Sequence, residues 1–149
     1  MSVTVGNRQR LAAHPERRVA RAAGRALAAL GRAGEHVDVT LVDDRVIRVL
    51  NARYRGVRRR TDVLAFPMDS PLVGQVVVSV ETAQRQARRL GVPFELELDL
   101  LVTHGVLHLV GYDDRDPVEA RLMHEREREI LSRAGAPLPD RLWTGLLHG

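Results

Sequence analysis

Residues 103–114 read Thr103-His104-Gly105-Val106-Leu107-His108-Leu109-Val110-Gly111-Tyr112-Asp113-Asp114. In a helix, residues four apart stack one turn above each other on a single face, so His104 and His108 present both imidazoles to one point. Gly111 is placed to end that helix in the left-handed conformation that other residues resist. The chain then swings back and brings Asp114 toward the same point from a third direction. Two imidazoles and a carboxylate at offsets of 0, +4 and +10 suit one divalent cation, with a coordination position left for water. The pair lies in the apolar run from Leu96 to Tyr112, where neutral imidazoles without an ion would need buried hydrogen-bond partners. Asp113 and His124 are substitutes for the third ligand, and Asp113 is better suited to orienting a ligand from the second layer.

With glycine at +7, this spacing has the layout of the zinc-protease signature H-E-x-x-H-x-x-G-x-x-H. The glutamate that activates water in those proteases is Gly105 here. A three-ligand metal still lowers the pKa of bound water toward ~7 and polarises a carbonyl or phosphoryl oxygen, so hydrolysis stays open. Phosphodiester cleavage is favoured over peptide cleavage, for which a base would have to come from elsewhere, Glu97 or Glu125.

Outward from this stretch, Pro93 opens a long helix carrying Leu96, Leu100, His104, Leu107 and His108, preceded by a helix from Glu81 to Leu90 closed by Gly91. Asp116-Pro117 starts another helix that continues from Val118 to Arg133 and stops at Gly135. Toward the N-terminus, Val3 to Val5 reads as a strand. Pro15 opens an Ala- and Arg-rich helix reaching Gly31 and Gly34, and Val37, Val39 and Leu41 alternate as a half-buried strand does. Asp43 or Asp44 caps a helix through Val46, Ile47, Leu50 and Asn51. An arginine-rich loop follows, then strands at Val63 to Phe66 and Val76 to Val80. Early strands and late helices predict an α+β fold, a mixed sheet of about four strands with helices packed over it and a zincin-like metal helix. No repeat or low-complexity linker divides residues 1–149, so one domain is expected.

The composition is that of a soluble globular protein, 44% hydrophobic and 28% charged, and only 3% aromatic. So few aromatic rings argue against a single-strand binder that stacks bases on a platform. All 23 basic residues are arginine against 19 acids. Arg53, Arg55, Arg58, Arg59 and Arg60 fall within eight residues, a candidate phosphate contact that also fits a charged, solvated loop. Absent cysteine rules out thiolate ligands and agrees with a reducing cytoplasm. The charged N-terminal stretch does not read as a signal peptide, and no run approaches the ~18 apolar residues of a membrane span, so a cytoplasmic location away from membranes is expected.

The run HGVLHLVGYDD resembles the signature H-G-x-L-H-L-x-G-Y-D-H of the YbeY family of bacterial rRNA-maturation endoribonucleases. Leu50-Asn51-Ala52-Arg53-Tyr54-Arg55, Thr61-Asp62-Val63-Leu64-Ala65-Phe66-Pro67 and Gly74-Gln75-Val76-Val77-Val78-Ser79 also look like the family, in order, over most of the chain. Asp114 stands where the family has its third metal-binding histidine. Ala65 and Gln75 replace a usual serine and aspartate. The resemblance implies the same α+β arrangement and a single-strand-specific endoribonuclease acting near the 3′ end of small-subunit rRNA. It also implies zinc, with RNA and ribosomal proteins as partners; a monomer is expected. Two histidines and a carboxylate equally suit Fe(II), Mn(II) or Ni(II). Arg55 matches the arginine the family uses beside the metal, a position from which it would hold phosphate or stabilise transition-state charge. Asp62, beside Thr61 at a strand start, is a candidate with Asp113 for the second layer, and a turn-fixing role suits it better. Two rival readings stay open: a metallopeptidase, and a ribosome-associated RNA-binding protein whose metal is structural.

Overall fold

The computed structural model describes residues 3–7, 15–53, 58–59, 63–69, 72–135 and 137–143. The chain runs β1 (Val3–Asn7), α1 (Glu16–Ala29), β2 (His36–Val42), α2 (Asp44–Arg53), β3 (Arg58–Arg59), β4 (Val63–Pro67), β5 (Leu72–Ser79), α3 (Val80–Leu90), α4 (Phe94–Leu109) and α5 (Pro117–Ser132). A 3-10 turn at Asp140–Trp143 follows. The strands form one sheet in the order β1-β2-β5-β4-β3. β1, β2 and β5 run parallel, whereas β4 and β3 run antiparallel to their neighbours, so the sheet is mixed and the fold α+β. The fifth strand lies in what reads from sequence as an arginine loop: Arg58 pairs with Ala65 and Arg59 with Leu64 along the outer edge of β4.

Strand alternation sorts the residues onto two unequal faces. Val37, Val39 and Leu41 of β2, Val76 and Val78 of β5, and Val63 and Ala65 of β4 turn toward the main core. Leu64 and Val77 point the other way and meet Val42 and Ile47 in a smaller cluster beneath α2. The main core is closed by α1, α3, α4 and α5, with α4 at its centre in contact with all three other helices and with β4 and β5. Every residue of α4 from Leu96 to Leu109 is buried, as expected of a helix that is apolar on all sides. Two of its polar groups have clear partners. Thr103 Oγ1 donates to the Asp99 carbonyl at 2.8 Å, and Arg18 of α1 grips the Asp99 carboxylate with two bonds of 3.0 and 2.8 Å.

Caps decide where the helices begin. Asp43 Oδ1 accepts from Val46 N–H at 3.0 Å, so Asp43 caps α2. Ser79 ends β5 and caps α3, one residue before the end of the strand expected at Val76 to Val80. Asp116 caps α5 through Glu119 N–H at 2.8 Å, ahead of Pro117. Asp44, released from capping, ties α2 to α3. Its carboxylate accepts from the Ser79 hydroxyl at 2.6 Å and from the Thr82 hydroxyl, and Arg85 Nη1 lies 2.6 Å from Oδ2. Burial works to raise the Asp44 carboxyl, yet these donors win and hold it down at about 2. The tail after α5 docks, burying Leu142 and Trp143. Among the described residues no helix is long and apolar enough to cross a membrane.

Candidate metal centre

The last two turns of α4 carry His104 and His108, whose rings meet edge to face with centroids 4.5 Å apart. Gly111, at φ +104°, ends the helix. Its N–H bonds to the His108 carbonyl at 3.2 Å, and Tyr112 N–H reaches the Leu107 carbonyl at 3.0 Å. This is the paired closure that a positive-φ residue makes possible. The chain reverses there, and Asp114 returns over the two rings. His104 Nε2 lies 3.7 Å from Asp114 Oδ2, and His108 Nε2 lies 4.0 Å from Asp114 Oδ1. Asp113 braces the turn by accepting from Asp114 N–H at 2.8 Å and pairing with Arg115 at 2.6 Å.

Hydrogen bonds behind the rings fix which nitrogens face this gathering. His104 Nδ1 lies 2.6 Å from Glu127 Oε2, and His108 Nδ1 lies 3.0 Å from the Tyr112 carbonyl. A carboxylate and a carbonyl only accept, so both Nδ1 atoms carry the hydrogen, and in the neutral rings both Nε2 atoms bear lone pairs. Those lone pairs face each other at 3.0 Å. His108 stays neutral at ordinary pH because burial, then the His104 ring, holds it down at about 4 against the upward pull of Asp114, the Tyr112 carbonyl and Asp113. Three acceptors thus converge with no donor among them, a donor set that suits a divalent cation. A cation about 2.1 Å from each atom spans donor separations of roughly 3–4 Å, and the three ligand atoms here lie within 4.8 Å of one another.

Glu127, on α5, escapes a sequence reading that counts it among many surface charges, yet it is fully buried. It shares the apolar stripe of Met123, Ile130 and Leu131 at offsets of +4, +7 and +8 from Met123. A carboxylate in such a stripe is the signal that could have found it. Its other oxygen, Oε1, accepts from His124 Nδ1 at 2.8 Å and from Trp143 Nε1 at 3.1 Å. Burial alone would raise its carboxyl, but His104 and His124 outweigh that and hold it below the usual carboxylate range. His124 is therefore engaged by the Glu127 oxygen opposite the one that holds His104, and it is not grouped with the converging acceptors.

Position 105 faces the sheet. A Cβ built on Gly105 would stand 2.5 Å from Val76 Cγ1 and 3.1 Å from its Cγ2, so the helix sits directly on β5. In this packing no glutamate could occupy the place a peptidase needs for its base. Glu97 is buried seven residues before His104, about 10 Å along the axis at ~1.5 Å per residue, and Glu125 is exposed on α5. Arg53 is exposed at the end of α2. Arg58 and Arg59 have strand backbone, not the expected loop, and Arg55, Arg60, Thr61 and Asp62 lie outside the described residues.

Fold and site together define an α+β protein that gathers two imidazoles and a carboxylate at the end of its central helix. The family model for Endoribonuclease YbeY matches residues 5–135. An Endoribonuclease YbeY of Anaeromyxobacter sp. (strain Fw109-5) is 44% identical over 124 residues, which take in 80% of this chain and 65%, just under two thirds, of that relative. The Aquifex aeolicus protein of the same name is 41% identical over 119 residues, 76% of this chain and 79% of its own. The solution structure of a Thermotoga maritima protein superposes with a TM-score of 0.60 at 25% identity, covering 97% of this chain and 91% of that one. The chain belongs to the YbeY endoribonuclease family, whose enzymes are hydrolases that cleave RNA.

Proposed function

We propose that this chain is a metal-dependent, single-strand-specific endoribonuclease that acts in rRNA maturation near the 3′ end of the small-subunit rRNA. The observation that carries the reading is the convergence of His104 Nε2, His108 Nε2 and Asp114 without a donor between them. His104, His108 and Asp114 would hold one divalent cation, which when bound supplies Lewis acidity and a water of lowered pKa. Family resemblance favours zinc, while the two-histidine, one-carboxylate set also suits Fe(II), Mn(II) or Ni(II). The Asp114 charge neutralises part of the cation's, so activation of water should be weaker than with three imidazoles. Metal analysis of protein purified without added metal decides the identity.

The other residues act on the substrate or on the ligands. Arg55 would hold the scissile phosphate and stabilise the charge that builds on it. Arg53, Arg58, Arg59 and Arg60 would follow the flanking backbone through bidentate phosphate contacts. Asp113 would orient Asp114, and Asp62 would fix the turn before β4. The chain would work as one domain and a monomer in the cytoplasm, on ribosomal RNA and beside ribosomal proteins. The peptidase reading loses its base at position 105.

The test is incubation with structured and unstructured RNA, with and without chelator. Cleavage of the unstructured RNA that chelator abolishes, with the fold intact by circular dichroism, is the expected result. Unfolding by chelator would favour the structural-metal reading, and intact RNA in every lane would overturn the proposal. Arg55→Ala should abolish cleavage while the metal content stays at the wild-type level.

A further inference from the structure

The Glu127 carboxylate lies at the centre of three donors: His104 N–H at 2.6 Å on one oxygen, and His124 and Trp143 N–H at 2.8 and 3.1 Å on the other. His104 and Glu127 have no solvent exposure, and Trp143 has 4%. Three elements therefore meet at one anion: α4, which carries the candidate ligand, α5, which carries the anion, and the 3-10 turn after α5. The turn is itself held by Arg128, which stacks 4.3 Å over the Trp143 ring and bonds Asp140 at 2.8 Å, and by Arg141, which reaches the Leu90 and Gly91 carbonyls.

We infer that Glu127 is a positioning residue for His104, and that the Asp140–Trp143 turn, through the Trp143 indole N–H, sets how firmly Glu127 does it. The inference rests on the metal-binding reading above.

A neutral imidazole can carry its hydrogen on either nitrogen, and only the form with Nδ1–H offers Nε2 to a cation. Glu127 selects that form because it can only accept. It also stops the ring from rotating, since a flip would put the Cδ2 carbon where Nδ1–H now donates and would lose the hydrogen bond to the carboxylate. His124 and Trp143 in turn stop Glu127 from rotating away: both bond Oε1, which leaves Oε2 for His104 alone. The outer partner of His108 is a backbone carbonyl, which no side-chain substitution removes. The arrangement around His104 is therefore the adjustable half of the site. Loss of an outer partner of a ligating histidine typically costs about 10–100-fold in metal affinity.

Glutamine at 127 keeps size but offers one acceptor atom where three donors converge, so it cannot serve His104 and the His124–Trp143 pair together. Phenylalanine at 143 keeps an aromatic ring but removes the N–H. The experiment compares wild type, Glu127→Gln, Glu127→Asp and Trp143→Phe by two readouts. Zn2+ affinity is measured by competition with a chromophoric chelator, and the His104 tautomer by long-range 1H–15N correlation on metal-free protein, with amide spectra reporting the fold. Glu127→Gln should lose about 10–100-fold in affinity and show mixed His104 tautomers. Trp143→Phe should move both readouts in the same direction by a smaller amount, and Glu127→Asp should restore part of the Nδ1–H form. Folded Glu127→Gln with wild-type affinity and an unchanged tautomer overturns the role of Glu127. Should that variant not fold, Trp143→Phe decides: an unchanged tautomer and affinity there overturn the inference. If wild type takes none of Zn2+, Fe2+, Mn2+ or Ni2+, the metal reading fails, and the tautomer readout still judges what Glu127 does to the ring.

Discussion

Two carboxylate-centred clusters in this molecule look alike in composition and differ in their balance of donors and acceptors. At the junction of α2 and α3, the Asp44 carboxylate meets two hydroxyl donors and a guanidinium, so its lone pairs are answered from within the protein. At the end of α4, the Asp114 carboxylate faces two bare ring nitrogens, and nothing among them donates. The first cluster is complete as a brace. The second would be completed by a cation. The difference teaches that a polar cluster is read as a site by counting its hydrogens, not its charges.

The comparison can be broken most decisively by removing the rings. His104→Ala combined with His108→Ala should reduce metal retention and RNA cleavage to background; a variant that still cleaves would make the acceptor cluster a bystander.

Acid should separate the clusters next. His108 takes a proton near pH 6.5 when unfolded but only at about 4 when folded. Between those values the unfolded chain binds more protons, so the metal-free protein should lose stability as pH falls from 6.5 to 4. Asp44 has the same sign in a lower window. Its folded value of about 2 lies below its unfolded 3.8, so its contribution is whole above 3.8 and fades only as pH falls toward 2. Urea midpoints of metal-free protein from pH 7 to 3 should drop first in the histidine window; a flat profile down to pH 4 would contradict the assignment of neutral, bare Nε2 atoms.

The smallest effect is expected at the brace. Asp44→Asn keeps the shape and weakens the hold on Arg85, with a loss of about 1 kcal/mol in urea unfolding after allowance for the exposed guanidinium. Metal content and cleavage should stay at wild-type levels. A change in either would mean the two clusters communicate.

Much of the site's geometry was legible in the chain because it is local. His104, His108, Gly111 and Asp114 fall within eleven residues, and helical spacing plus one positive-φ glycine suffices to bring them together. The strand β2 was legible from the alternation of Val37, Val39 and Leu41, and β4 and β5 from the apolar runs at Val63 to Phe66 and Val76 to Val80. What escaped depends on distant partners. Arg58 and Arg59 have no apolar alternation to mark them as a strand, and only the open edge of β4 makes them one. Glu127 is separated from His104 by 23 residues, so its burial follows from how α5 lies on α4. Gly105 reads in isolation as a missing catalytic base; only the position of Val76 across the interface makes it a steric requirement.

That contact also couples two positions in heredity. A side chain can enter at 105 only where the facing residue on β5 has shrunk, so in other lineages a larger residue at the one should travel with a smaller residue at the other. A lone replacement at either position would leave a clash or a hollow between the central helix and its sheet, and the route from nuclease to peptidase would begin in the sheet.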